Sequence, residues 1–221
     1  MHMLKVYFLK TTDMEGHNDN DFQKYMDRET WEDANRPANP RTRRTKILSR
    51  ALVHGAIRKT WGWAPGDYRI TTGEHGKPRL TAPDSEAFFN LSHSGDYILC
   101  AVSSQEVGVD IEYRGKARLE VARRFFHPHE ARLLQDAPAE QQASLFFDYW
   151  AAKESYLKYT GDGLSGSMSA FEICFAKGDA WIEKGHTPLP VRLRACPIDE
   201  NYSSFICCEK DEPFTIEPFL F

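Results

Sequence analysis

The chain has 221 residues, 41% of them hydrophobic and 27% charged, with a formal net charge of −4. That length buries a proper core, as one large domain or two small ones. The acidic balance argues against a general nucleic-acid binder, which carries a basic excess. No stretch reaches the ~20 apolar residues of a membrane span. Cys100, Cys174, Cys196, Cys207 and Cys208 form no CxxC pair, and four of the five lie in apolar or alternating stretches. They are expected to be buried free thiols in a reducing cytoplasm, not disulfides or zinc ligands. Met1 to Lys10 lacks the apolar core of a signal peptide.

In chain order, Leu4–Leu9 alternates and predicts a strand. Asn18 to Pro40 is polar, punctuated by Asn-Arg-Pro and Asn-Pro, and predicts a loop with one short helix around Phe22–Arg28. From Arg41 to Trp61, Ile47, Leu48, Ala51, Leu52 and Ile57 recur at helical spacing under an arginine-rich start. Asp67 to Leu80 holds a strand and the turn-forming run Gly73-Glu74-His75-Gly76-Lys77-Pro78. Strands follow at Phe88–Ser92, Tyr97–Ser103 and Val107–Tyr113.

Leu119–Phe126 and Pro128–Leu134 read as helices. His127-Pro128-His129-Glu130 fits a helix start, with Pro at N1 and Glu at N3, better than a metal site. Gln141–Thr160 is a long helix ended by Gly161-Asp162-Gly163. Short strands are expected at Ala170–Ala176, Ala180–Lys184, Val191–Ala195 and Ser204–Glu209. The polar turn and small-residue strand of Gly95–Ala101 is echoed in Ser203–Cys208. The expected class is α+β, with helices packed on small, mainly antiparallel sheets, and the echo allows two similar halves, residues 1–105 and 106–221.

Two short words carry the chemistry. In Gly108-Val109-Asp110-Ile111-Glu112, strand geometry projects Asp110 and Glu112 to one side while Val109 and Ile111 face the core. The plain alternative is a solvated acidic face on an edge strand. In Trp150-Ala151-Ala152-Lys153-Glu154-Ser155-Tyr156-Leu157-Lys158, Trp150, Glu154 and Lys158 share one helix face, and Lys153 points elsewhere. An exposed Glu–Lys pair is the alternative there, although Trp150 fits a solvated surface poorly. Three carboxylates, Asp110, Glu112 and Glu154, suit a hard divalent cation such as magnesium, with manganese also suitable, whose other positions go to water and phosphate. A neighbouring lysine holds a phosphate as a point charge. Asn90-Leu91-Ser92-His93-Ser94 offers hydrogen-bond donors at a strand end, for phosphate or for its own turn.

Together these words resemble the Sfp-type 4′-phosphopantetheinyl transferases. The matching order is Gly76-Lys77-Pro78, Phe89 to Ser94, Gly108 to Glu112, Arg124-Phe125-Phe126 with Glu130, and Trp150 to Lys158, and it covers about residues 41 to 176. The resemblance implies a monomer of two pseudo-symmetric halves, with coenzyme A in the cleft between them. It implies transfer of the phosphopantetheine arm to a serine of an acyl, peptidyl or aryl carrier protein, with release of adenosine 3′,5′-bisphosphate. Asp110, Glu112 and Glu154 would hold the metal on the pyrophosphate of coenzyme A. Glu154, directly or through a metal-bound water, would take the serine proton, and Lys158 would stabilise the leaving charge. Lys77, Ser92 and His93 would contact the phosphates of coenzyme A. Among Arg36, Arg41, Arg43, Arg44 and Arg50 one or two would join them, with Arg44 the expected contact.

The basic stretch Arg114 to Arg124 is either a solvated surface or a dock for an acidic carrier protein. A metal-dependent nuclease also clusters carboxylates. Its usual lysine two residues after the Glu is Arg114 here, and the helix word would have no role. A binding module without catalysis would not need all three carboxylates.

Overall fold

A computed structural model describes residues 3–73, 76–82, 86–163, 167–176, 178–210 and 213–221. The architecture is α+β. In the first sheet, β5 (Tyr97–Ser103), buried at every residue, lies antiparallel to β1 (Leu4–Lys10) on one side and to β4 (Phe88–Ser94) on the other. The long helix α2 (Pro40–Trp61) packs on this sheet through Ile47, Leu48, Ala51 and Leu52, none of them accessible to solvent. In the second sheet, β11 (Tyr202–Cys208) lies antiparallel between β6 (Val107–Tyr113) and β10 (Arg192–Ala195), followed by β8 (Asp179–Lys184) and β7 (Glu172–Ala176). α5 (Ala139–Thr160) covers it.

The halves repeat one plan. Each has a first strand, a 22-residue helix and a buried strand beside the first: β1, α2, β5 and β6, α5, β11. β5 and β11 are the two segments whose sequences echo each other. Among the described residues no disulfide joins any of the five cysteines, and Cys100, Cys196, Cys207 and Cys208 are buried. Among the described residues no helix is long and apolar enough to cross a membrane.

One local expectation is corrected. The helix expected around Phe22–Arg28 is instead a 3₁₀ segment, Asp19–Tyr25, and a separate helix α1 (Arg28–Asn35). The cause is capping: Asn18 and Asp21 form a capping box for the first, and the Asp27 carboxylate accepts from Thr30 N–H and starts the second. The chain end adds β12 (Thr215–Pro218), which pairs in parallel with β1 of the first sheet. In the turn before Pro78, Glu74 and His75 lie outside the described residues; Arg69–Thr72 and Pro78–Thr81 form a two-stranded pair, β2 and β3.

The sheets meet at β4 and β6. A shared core of Leu4, Val6, Leu99, Val107, Val109, Ile111 and Ile206 lies beneath the junction. Across it, β4 side chains accept from β6 backbone N–H groups: Asn90 Oδ1 from Val109 (2.9 Å), Ser92 Oγ from Ile111 (3.4 Å) and Ser94 Oγ from Tyr113 (3.0 Å). Side chains thus supply acceptors that a paired strand would otherwise supply. On its other face β6 meets α5 at Gly108. A Cβ there would lie 2.0 Å from the Ser155 carbonyl oxygen and 2.4 Å from the Tyr159 nitrogen. Only glycine lets the helix backbone rest on the strand.

α5 is also anchored from below. Lys153, fully buried, pairs with the equally buried Glu130 at 2.9 Å and donates to the carbonyls of Met168 and Phe171, both at 2.8 Å. Glu130 accepts from the N–H groups of Ile173 (2.6 Å) and His127 (2.9 Å), the latter as the N3 residue of α4 (Pro128–Asp136). Every polar atom of this pair therefore has a partner.

Two substitutions test these constraints. Gly108→Ala meets backbone atoms that cannot rotate away, so denaturant unfolding is expected to show a loss of about 3 kcal/mol or more; unchanged stability would mean α5 does not rest on this strand. Lys153→Met leaves Glu130 charged and buried alone, an expected loss of roughly 3–5 kcal/mol in the same measurement, much of it recovered by adding Glu130→Leu. If the double variant is no more stable than the single one, the pair is not the source of the loss.

Candidate active site

The contact of α5 with β6 brings the two sequence words together. Gly108, Asp110 and Glu112 alternate toward the helix, and α5 presents Trp150, Glu154 and Lys158 one turn apart. Asp110, Glu112, Trp150, Glu154 and Lys158, with Leu91, Ser92 and His93 of β4, line a pocket of about 340 Å³. The solvated edge-strand alternative fails, because Asp110 is only 3% exposed.

Lys158 Nζ donates to Asp110 Oδ1 (2.6 Å), Ser92 Oγ (2.8 Å) and the Val109 carbonyl (3.2 Å), which uses all three ammonium protons. Ser92 Oγ donates to Asp110 Oδ1 at 2.7 Å, and Ser94 Oγ donates to Glu112 Oε2 at 3.0 Å. Asp110 Oδ2 is buried and has no hydrogen-bond partner among the described residues. Burial, then the adjacent Asp110 charge, pushes the Glu112 carboxyl up to about 7, against the Ser94 hydrogen bond and Lys158. Burial and Asp110 likewise raise Glu154, opposed by Lys158. His93 stands at the solvent rim, its pKa lowered by partial desolvation and by Lys158.

An orphaned buried carboxylate oxygen and two neighbouring carboxyls that resist ionisation describe a site short of positive charge. The donors are all oxygens, which fits a hard divalent cation. Among the described residues no three His, Cys, Asp or Glu side chains form a complete ligand set by themselves. The cation the protein itself places against Asp110 is the Lys158 ammonium, so a metal would need oxygens from a bound substrate as well as from these side chains.

The remaining predicted residues divide. His93 also lines an adjoining cleft of about 530 Å³, with Arg41, Lys46 and Arg50 from α2 and Tyr97 from β5. Lys46 was missed by sequence reasoning, although Thr42, Thr45, Lys46, Ser49 and Arg50 share one face of a helix, a periodicity visible in the chain. Asp33 pairs with both Lys46 (3.1 Å) and Arg50 (3.5 Å).

Arg44 is not in this cleft. Its guanidinium pairs with Asp19, donates to the carbonyls of Met14 (2.6 Å) and His17 (2.9 Å) and lies over the Phe22 ring, so it pins the 3₁₀ segment to α2. Lys77 is also spent on structure in this state. It pairs with Glu106, donates to Tyr159 (2.8 Å) and Val107 (3.3 Å) carbonyls, and ties the β2–β3 hairpin to β6 and the end of α5. Ser92, with one proton given to Asp110 and its lone pairs facing Lys158 and Ile111 N–H, organises the carboxylates before it can touch a ligand.

A family model described as the 4′-phosphopantetheinyl transferase superfamily matches residues 106–207, which include β6, α5 and every residue of the carboxylate cluster. A 4′-phosphopantetheinyl transferase of Bacillus subtilis is 34% identical over 182 residues, 79% of this chain and 80% of its own. The 4′-phosphopantetheinyl transferase Sfp of Bacillus subtilis (strain 168) is 34% identical over 163 residues, 73% of this chain and 72% of its own. The 4′-phosphopantetheinyl transferase HetI of Nostoc sp. is 41% identical over 137 residues, 60% of this chain and 58% of its own. With identity of this degree spread over most of both chains, and the carboxylate cluster inside the matching segment, the chain belongs to the 4′-phosphopantetheinyl transferase family.

Proposed function

We propose that this enzyme transfers the 4′-phosphopantetheine arm of coenzyme A to a serine hydroxyl of an apo carrier protein and releases adenosine 3′,5′-bisphosphate. The observation that carries the reading is the unpartnered, buried Asp110 Oδ2 in one pocket with Glu112, Glu154 and Lys158. A magnesium ion, or manganese in its place, held by Asp110, Glu112 and Glu154 would neutralise charge on the pyrophosphate of coenzyme A.

The serine oxygen forms a bond to the phosphorus that carries the pantetheine arm, and the bond from that phosphorus to the bridging oxygen of the pyrophosphate breaks. Positioning and electrostatics dominate such a transfer. Glu154 suits the acceptor of the serine proton. Its carboxyl has no hydrogen-bond partner among the described residues, and its pKa is raised, which brings its basicity closer to neutral pH. Lys158 exchanges one of its three internal hydrogen bonds for a phosphate oxygen and stabilises the leaving charge. His93, Arg41, Lys46 and Arg50 receive the nucleotide end in the adjoining cleft.

The partner is an acyl, peptidyl or aryl carrier protein. Lys116, Arg118, Arg123 and Arg124 are exposed along and just before α3 (Leu119–Phe125), and Arg124 lies over the ring of the 43%-exposed Phe125 at its end, a basic and apolar surface suited to an acidic partner. In this reading residues 1–105 supply the nucleotide contacts and 106–221 the metal and catalytic residues, in a monomer working in the cytoplasm. The cysteines, with no disulfide among the described residues, suit that reducing setting.

Intact-protein mass spectrometry tests the activity. Protein, coenzyme A, magnesium and an apo carrier are expected to give carrier heavier by one phosphopantetheine; no modified carrier across acyl, peptidyl and aryl panels would refute the reading. Asp110→Ala and Lys158→Ala are each expected to lower the rate by roughly 10²–10³ with the fold intact by circular dichroism. Near-normal turnover in either variant would remove that residue's role.

A further inference from the structure

Glu112 is held by one side chain, the hydroxyl of Ser94 at the end of β4. Ser94 Oγ gives its only proton to Glu112 Oε2 (3.0 Å) and accepts from Tyr113 N–H (3.0 Å). Two residues earlier the same pattern occurs: Ser92 Oγ gives its proton to Asp110 Oδ1 (2.7 Å) and faces Ile111 N–H (3.4 Å). The spacing of the two hydroxyls on β4 thus copies the spacing of the two carboxylates on β6. In each case a backbone N–H occupies the serine's lone pair and turns the hydroxyl proton toward the acid.

We propose that Ser94 is a positioning residue, which fixes the Glu112 carboxylate in the orientation needed to take a divalent cation together with Asp110. The proposal rests on the metal reading of the carboxylate pocket. Its physical basis is preorganisation. A free glutamate side chain must surrender rotamer freedom when it takes a ligand, whereas one already hydrogen-bonded has less to lose. Glu112 has particular need of this support, because it is half-buried beside Asp110 and shares that acid's charge repulsion. Supporting hydrogen bonds of this kind change metal affinity by about 10–100-fold elsewhere.

A purely structural role for Ser94 predicts something else. The Tyr113 N–H it accepts from is exposed, so water replaces the hydroxyl in Ser94→Ala and stability hardly changes. The contact with Glu112 is where the consequence falls.

The experiment measures Mn²⁺ binding to the whole protein with coenzyme A present and no carrier, from the electron paramagnetic resonance signal of free Mn²⁺. Thermal melts are recorded in parallel. Ser94→Ala is expected to bind Mn²⁺ on the order of tenfold more weakly with an unchanged melt. Ser94→Thr, which keeps the hydroxyl on a strand that tolerates a β-branched residue, is expected to restore binding. Asp110→Ala serves as the reference for loss of the site. If Asp110→Ala loses Mn²⁺ while Ser94→Ala binds like the unaltered protein, the role of Ser94 is overturned and the metal reading stands. If the unaltered protein binds no Mn²⁺, or Asp110→Ala binds as well as it does, both fall together.

Discussion

The architecture turns on one unusual junction, the seam where β4 meets β6. β6 has a backbone partner on one side only, and Asn90, Ser92 and Ser94 provide acceptors along the other. A buried N–H left without an acceptor costs about 1–3 kcal/mol, so Asn90 and Ser92, which accept from the buried Val109 and Ile111 N–H groups, are what permits the second sheet to end inside the molecule. The serines then do a second thing that a backbone strand could not. Their hydroxyl protons remain available and are spent on Asp110 and Glu112. The interaction that joins the halves is therefore also the one that aims the carboxylates.

Gly108 completes the constraint from the opposite face. Because α5 touches the strand backbone there, the carboxylates two and four residues further on emerge beneath Glu154 and Lys158 into the pocket they share. Burial of like charges is unfavourable, and the protein shows it: Glu112 and Glu154 hold their protons more tightly than free carboxyls, and one oxygen of Asp110 has no partner. Such stress concentrates at functional sites. The contrast with Lys153 and Glu130 on the buried side of the same helix is instructive. There every polar atom is matched, and the pair anchors α5 and leaves nothing for a ligand.

Much of this was legible in the sequence because it follows from local periodicity. The two-residue repeat placed Asp110 and Glu112 together, and the four-residue repeat placed Trp150, Glu154 and Lys158 on one face. The same logic separated Lys153 from Lys158, and read Glu130 as a helix-capping residue. What the sequence hid depends on partners distant in the chain. Arg44 resembles any other arginine of its helix until Asp19 and the Met14 and His17 carbonyls close around it. Lys77 is consumed by groups 29, 30 and 82 residues away. β12 has too little pattern of its own, and its strand character comes from parallel pairing with β1 at the far end of the chain. Ser92 was read as a ligand contact, whereas its bonds to Asp110, Lys158 and Ile111 make it first an organiser of the site.

The central claim is that the cluster of Asp110, Glu112 and Glu154, short of positive charge, is where a divalent cation and the pyrophosphate of coenzyme A meet. Crystals grown with coenzyme A and Mn²⁺, measured near the manganese absorption edge, test this most directly. The account predicts a single strong anomalous peak in contact with Asp110 and with pyrophosphate oxygens. Coenzyme A bound with its pyrophosphate away from these carboxylates, or manganese bound elsewhere, would contradict it.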